Sequence, residues 1–209
     1  MAALAAVSLP SRGPLTLETW AQLEQEEPGE LVDGWLVGEE VPTHQHEVVV
    51  SWLIWFLTSW ARPRGGWVFG SEHKVAVAPD RGRKPDVAVY EADASLRRRD
   101  ALSRTPPALV VEVLSPRPRD VRRDRLEKLR EYARFGVRWY WLVDPEARLL
   151  EVFELGADGR YVIACTAAEG TVSTLGLEGL VLDLDELWAE VARLPEGGGE
   201  DQADESGEY

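Results

Sequence analysis

Thr16 is followed by Leu17, Trp20 and Leu23 on one face, so the chain opens with a helix capped at Thr16 and running to about Glu27, where PGE at 28–30 ends it. ELVDGWLV at 30–37 alternates about Asp33 and Gly34, a pair suited to a tight hairpin turn, and predicts two short antiparallel strands. From 46 to 60 apolar residues lie almost all round, which predicts a buried helix stopped by Arg62-Pro63 and Gly65-Gly66. Strands are predicted at 67–69, 74–78 and 85–90. ALVVEVL at 108–114 is a near-continuous apolar run, the pattern of a central strand covered on both faces. A helix from about 120 to 135, capped by Gly136, leads to the strand RWYWLVD at 138–144. Strand, helix and strand with short joints form a right-handed crossover with a parallel strand pair. A hairpin at 149–154 and 161–165 and a helix from about 185 to 193 follow. The final EGGGEDQADESGEY has nothing to bury and is expected to be disordered. The expected organisation is an N-terminal tail at 1–14, one α/β domain with a mixed sheet at 15–195, and an acidic tail at 196–209.

Composition narrows the classes. The 209 residues, 44% hydrophobic and 29% charged, suit one globular domain. The longest apolar stretch, VVVSWLIWFL at 48–57, falls short of the ~20 residues that span a bilayer. MAALAAVSLP lacks the cationic start and long apolar core of a signal peptide, so no membrane partner and a cytoplasmic place are expected. The single Cys165 excludes an internal disulfide framework and a multi-cysteine metal site, and reads as a small buried residue of its strand. Asparagine is absent and lysine occurs only at 74, 84 and 128, a bias of thermophiles that a GC-rich genome would also produce.

A net charge of -14 speaks against a polyanionic partner until it is divided along the chain. Residues 1–80 carry -7, 81–138 carry +7 and 139–209 carry -14. The middle block holds RRR at 97–99 and Arg117, Arg119, Arg122, Arg123 and Arg125. Such a zone suits a phosphate-binding face, or an arginine-rich helix making exposed ion pairs.

Glu112 stands in the middle of the most apolar strand. A buried carboxylate must be protonated, paired with a cation or bound to a metal. Asp86 follows Pro85 at the start of another strand, and if the two strands are neighbours both carboxylates can converge on one cation. Magnesium suits such a pair, because it binds one or two carboxylates and completes its shell with water and phosphate. On its helix Lys128 shares a sector with Val121, Asp124, Tyr132 and Phe135, and points toward packed structure, whereas Asp120, Arg123, Glu127, Arg130, Glu131 and Arg134 form a polar face. An Asp124–Lys128 i,i+4 pair explains it simply. A compact ammonium in an arginine-rich chain also suggests a point charge beside water or phosphate. His44 and His46 read as surface histidines at a helix start, Ser115 as a turn cap, and Trp52, Trp55 and Trp139 as core.

ELVDG at 30–34, His46 opening a helix, RKPDVAVY at 83–90, LVVEVLSP at 109–116, the spacing of Asp124, Lys128 and Tyr132, and GVRWYWLVDP at 136–145 occur in that order. Together, over roughly 15–190, they resemble the Uma-type restriction endonuclease family of the PD-(D/E)XK nuclease superfamily. The resemblance implies a restriction-endonuclease-like fold, a mixed sheet flanked by helices, and hydrolysis of nucleic acid, DNA foremost, with Mg2+ or Mn2+. It implies that Asp86 and Glu112 hold the metal and that Lys128, displaced onto the following helix because Leu114 occupies the usual lysine position, completes the catalytic set. Glu47, with Glu30 and His46 as rivals, matches the acidic residue of the first core helix, and Asp124 is a further assisting candidate. Arg83, Lys84, Arg117, Arg119 and Arg122 are the expected nucleic-acid contacts, and cutting both strands of a duplex suggests a homodimer. A non-catalytic nucleic-acid-binding or protein-interaction module on the same fold is the alternative, and a hydrolase of other phosphodiesters a third.

Overall fold

A computed structural model describes residues 14–23, 29–38, 41–115, 123–173 and 176–195. The expected tails, Pro14 apart, and Arg117, Arg119 and Arg122 lie outside these residues. The first helix, α1 (Leu17–Ala21), is capped by the Thr16 side chain and closes at Gln22, earlier than its apolar spacing suggested. The hairpin of β1 (Glu30–Val32) and β2 (Trp35–Val37) turns at Asp33 and Gly34, whose φ angles of 52° and 79° are the left-handed pair such a turn requires.

α2 (His44–Ala61) is capped by Thr43 and followed by a 3-10 turn at Arg62–Arg64. It is buried along one stripe, Val49, Val50, Leu53, Leu57 and Ala61, and not all round: Trp52 is half-buried and Trp55 is 60% exposed. Then come β3 (Trp67–Gly70), β4 (Val75–Ala78), β5 (Arg81–Arg83), β6 (Val87–Tyr90) and β7 (Leu109–Val113). The helix expected from about 120 is described from Arg123. It is π-helical over Arg123–Lys128 and α-helical as α3 (Leu129–Phe135), ending on Gly136 at φ 94°. β8 (Trp139–Asp144), β9 (Leu149–Leu155), β10 (Tyr161–Ala167), β11 (Thr171–Val172), β12 (Leu182–Asp183) and α4 (Leu184–Val191) complete the described chain.

A six-stranded sheet in the order β10-β9-β8-β7-β6-β3 carries the molecule, with β7 and β8 its parallel pair and β7 in the interior as expected. Val87, Val89, Leu109, Val111 and Trp141 face α2 and α4. Val110, Tyr140 and Leu142 face the other way, toward Tyr132 of α3 and toward β4. A four-stranded antiparallel sheet, β2-β1-β5-β4, brings Arg81 and Arg83 of β5 up to α3. Cys165 is half-buried.

Candidate functional site

β6 and β7 pair antiparallel with Val87 opposite Val111, a register that sets Asp86 level with Glu112 on the face toward α3. Glu112 is 2% exposed. Lys128 donates to its Oε2 at 2.8 Å, and the Tyr132 hydroxyl donates to its Oε1 at 2.8 Å. The same ammonium lies 3.2 Å from Asp124 Oδ1 and 3.5 Å from Glu30 Oε1. The i,i+4 pair and the inward-pointing charge inferred from sequence are therefore both present, on one buried lysine.

Glu30 opens β1 and is itself buried. Its Oε2 accepts from Arg83 Nη1 at 2.7 Å and its Oε1 from the Lys84 backbone N–H at 3.1 Å. Arg83 has no exposed surface, and it donates through Nε and Nη2 to Glu131 at 2.6 and 3.0 Å. It is therefore not placed to touch nucleic acid, because two carboxylates enclose its guanidinium. Glu131, read from sequence as part of the outer polar face, is turned inward by Arg83 and by Arg81, which also grips Asp33. Lys84 reaches Glu72 Oε1 at 3.0 Å.

Asp86 Oδ2 accepts from the Val113 backbone N–H at 2.8 Å and lies 3.4 Å from His46 Nε2. His46 is not a surface residue: its side chain is 13% exposed, and its Nδ1 is 3.5 Å from Glu47 Oε1 without a hydrogen bond. Of the three candidates for a first-helix acid, Glu30 belongs to a strand and is engaged by Arg83, whereas His46 and Glu47 stand at the start of α2 on the Asp86 side.

The charges bias one another. Burial would raise the Glu30 pKa, but Lys128 and Arg83 outweigh it and hold the carboxyl down at about 2. Burial pushes Glu112 up to about 8; Lys128 opposes the rise, while Asp124, Asp86 and Glu30 add to it. Burial works against the Lys128 ammonium, yet Asp124, Glu112 and Glu30 raise its pKa well above the ordinary value. His46 is raised despite burial, by its contact with Asp86.

These groups meet at a cleft of about 450 Å3, lined among others by His46, Glu47, Lys84, Asp86, Glu112 and Lys128. Among the described residues no group of three or more His, Cys, Asp or Glu side chains converges as a metal centre. A magnesium-like ion does not need three, and the Asp86–Glu112 pair offers the hard oxygen donors it takes. The two carboxylates stand level across the β6–β7 pair and line the same cleft, so the donor set fits a hard divalent ion. Sequence reading missed the pairing of Arg83 with Glu30 and Glu131. The partners are 53 and 48 residues away, and no local pattern signals them.

Residues 16–200 match the model of the Uma2 family, described as "Putative restriction endonuclease". Among solved structures, one described as a putative nuclease belonging to DUF820, from Anabaena variabilis, matches with a TM-score of 0.69 at 20% sequence identity, covering 85% of this chain and 99% of that chain. This likeness shows a shared mixed α/β fold. No curated protein matches the chain.

Proposed function

Because the chain belongs to the Uma2 family, we propose that the cleft is the site of a divalent-metal-dependent nuclease that hydrolyses phosphodiester bonds of nucleic acid, DNA foremost. The observation that carries this reading is the Lys128 ammonium 2.8 Å from Glu112 in a cleft that Asp86 also lines. Asp86 and Glu112 would hold Mg2+ or Mn2+, which when bound supplies Lewis-acid charge and makes water easier to deprotonate.

The chain's own residues do the rest. Lys128, kept protonated by its carboxylates, offers a fixed positive charge where negative charge grows on the reacting phosphate, and can orient the attacking water. Tyr132 and Lys128 grip the two oxygens of Glu112 and fix its plane. The Val113 N–H and His46 limit the rotation of Asp86. Lys84 borders the cleft with its ammonium paired to Glu72.

Supercoiled plasmid, single-stranded DNA and RNA, each incubated with Mg2+, Mn2+ or EDTA, test the reading. Cutting should require the metal and fall about a hundred-fold or more in Asp86→Ala and in Lys128→Ala. Cutting that survives in EDTA, or is undiminished in both variants, refutes it. Calorimetry should also show Mn2+ binding lost in Asp86→Ala. A two-fold homodimer forms part of the reading, since a duplex presents two strands to cut, and sedimentation should give about twice the chain mass.

One observation favours a second reading. Both oxygens of Glu112 are already engaged by Lys128 and Tyr132, as in a closed structural network. A non-catalytic nucleic-acid-binding module on the same fold would look so, and wild-type protein that binds DNA but neither metal nor cuts would establish it.

A further inference from the structure

The cleft is a poor anchor for a polyanion. Among the described residues it presents six carboxylates against three lysine or arginine side chains, so an arriving phosphate backbone meets more repulsion than attraction.

The sheet has a second end. β6 runs from Val87, beside the site, to Tyr90, and β7 returns from Leu109 to Val113, so the loop 91–108 joins them at the end away from Asp86 and Glu112. α2 runs the same way, from His46 beside Asp86 to the turn at Arg62–Arg64. Just past that turn Gly65 meets the loop: a Cβ placed on it would lie 3.2 Å from the Ala92 Cβ. β3 begins here too, with Trp67 opposite Tyr90.

Arg97, Arg98 and Arg99 project from this loop, all exposed. No ion pair holds any of the three among the described residues. Hydrogen bonds from Leu96 N to Ala94 O at 2.8 Å and from Asp100 N to Arg97 O at 3.1 Å turn the backbone before and across the three arginines. Arg62 is exposed at the end of α2 and Trp67 is 56% exposed, whereas the Arg64 guanidinium donates to the Trp60 carbonyl at 3.0 Å and lies over the Trp60 ring. Glu91, Asp93 and Asp100 are the loop's acidic residues, fewer than its four arginines, Arg97, Arg98, Arg99 and Arg104.

We propose that Arg97, Arg98 and Arg99, with Arg62 and Trp67, form a second nucleic-acid-binding surface, which grips the backbone of a single strand and stacks a base on Trp67. Exposed guanidinium groups that no ion pair holds, on a loop that meets the strand carrying an exposed indole, are the chemistry of sequence-independent strand binding. A long polymer held here raises its own concentration at the cleft without being cut at the point of contact. The inference reaches beyond the nuclease reading, because the surface binds whether or not the cleft cuts.

Fluorescence anisotropy of a labelled single-stranded oligonucleotide, measured in EDTA across a salt series, tests it. Wild type should bind, with affinity falling steeply as salt rises. Combining Arg97→Ala, Arg98→Ala and Arg99→Ala should weaken binding about ten-fold or more at low salt and flatten the log–log salt slope by about 2. Trp67→Ala should weaken binding about ten-fold and leave the slope unchanged. The three arginines are exposed, and an unchanged circular dichroism spectrum and melting temperature will show that the triple variant folds. Wild-type protein that does not bind in EDTA, or a triple variant with the affinity and slope of wild type, overturns the proposal. Cutting of a dinucleotide substrate, too short to reach this surface, separates the two readings: intact cutting without binding in EDTA sinks this surface alone, and binding without cutting sinks only the nuclease.

Discussion

His73 stacks on Phe69 with ring centroids 4.3 Å apart and shares a 3.0 Å hydrogen bond with the Tyr90 hydroxyl. Burial pushes its pKa down to about 4, whereas an unfolded chain titrates near the ordinary value of about 6.5. Between those values the unfolded chain takes up a proton that the folded chain refuses. The contribution of neutral His73 is therefore complete above about pH 6.5 and drains away as the pH falls toward about 4. Partial exposure moderates the effect to roughly 2 kcal/mol. Urea unfolding of wild type and His73→Gln at neutral and mildly acidic pH should show the two stabilities converging on acidification. A difference that stays constant with pH would show that His73 is not the titrating group.

At the scale of elements, β5 is the least legible part of the chain and one of the most constrained. Its three residues are Arg81, Gly82 and Arg83, which carry no apolar alternation, yet they pair with both β1 and β4. The central strand β7 was legible because a run buried on both faces is apolar throughout, and the hairpin because Asp33 and Gly34 adopt positive φ together. β5 was not, because its inward charges are satisfied by carboxylates brought from distant segments. α2 was legible in position but not in burial: composition alone does not say which aromatic side chains a neighbouring element will cover, and Trp55 is left exposed. In the site, Asp86, Glu112, Lys128 and Asp124 could be proposed from motif spacing, whereas the inward turn of Glu131 depends on Arg81 and Arg83. Gly82 supplies a test at this scale. A Cβ there would lie 2.2 Å from Cζ3 of Trp20, which is 1% exposed, so Gly82→Ala forces two well-packed layers apart. The expected cost is about 1–3 kcal/mol, read by calorimetry as a melting temperature lowered by roughly 5 °C. An unchanged melting temperature would mean that the indole moves freely.

Across the whole molecule, the groups around the cleft come from β1, the start of α2, the approach to β6, β7, and the helix that crosses to β8. Glu30 must find Arg83 across 53 residues, and Arg83 must find Glu131 across 48. Contacts so far apart in sequence close loops at an entropic cost and form slowly. In stopped-flow refolding with Mn2+ present, metal binding should appear no earlier than the main recovery of tryptophan fluorescence; binding that precedes it would indicate a locally assembled site.

That dispersal has a consequence in time. A chain still leaving the ribosome holds β1 and α2 long before Lys128 and Tyr132 exist, so its carboxylates stand without the ammonium and hydroxyl that organise them. Whatever chemistry the cleft performs is withheld until synthesis has passed the crossover helix, and completed folding acts as the release.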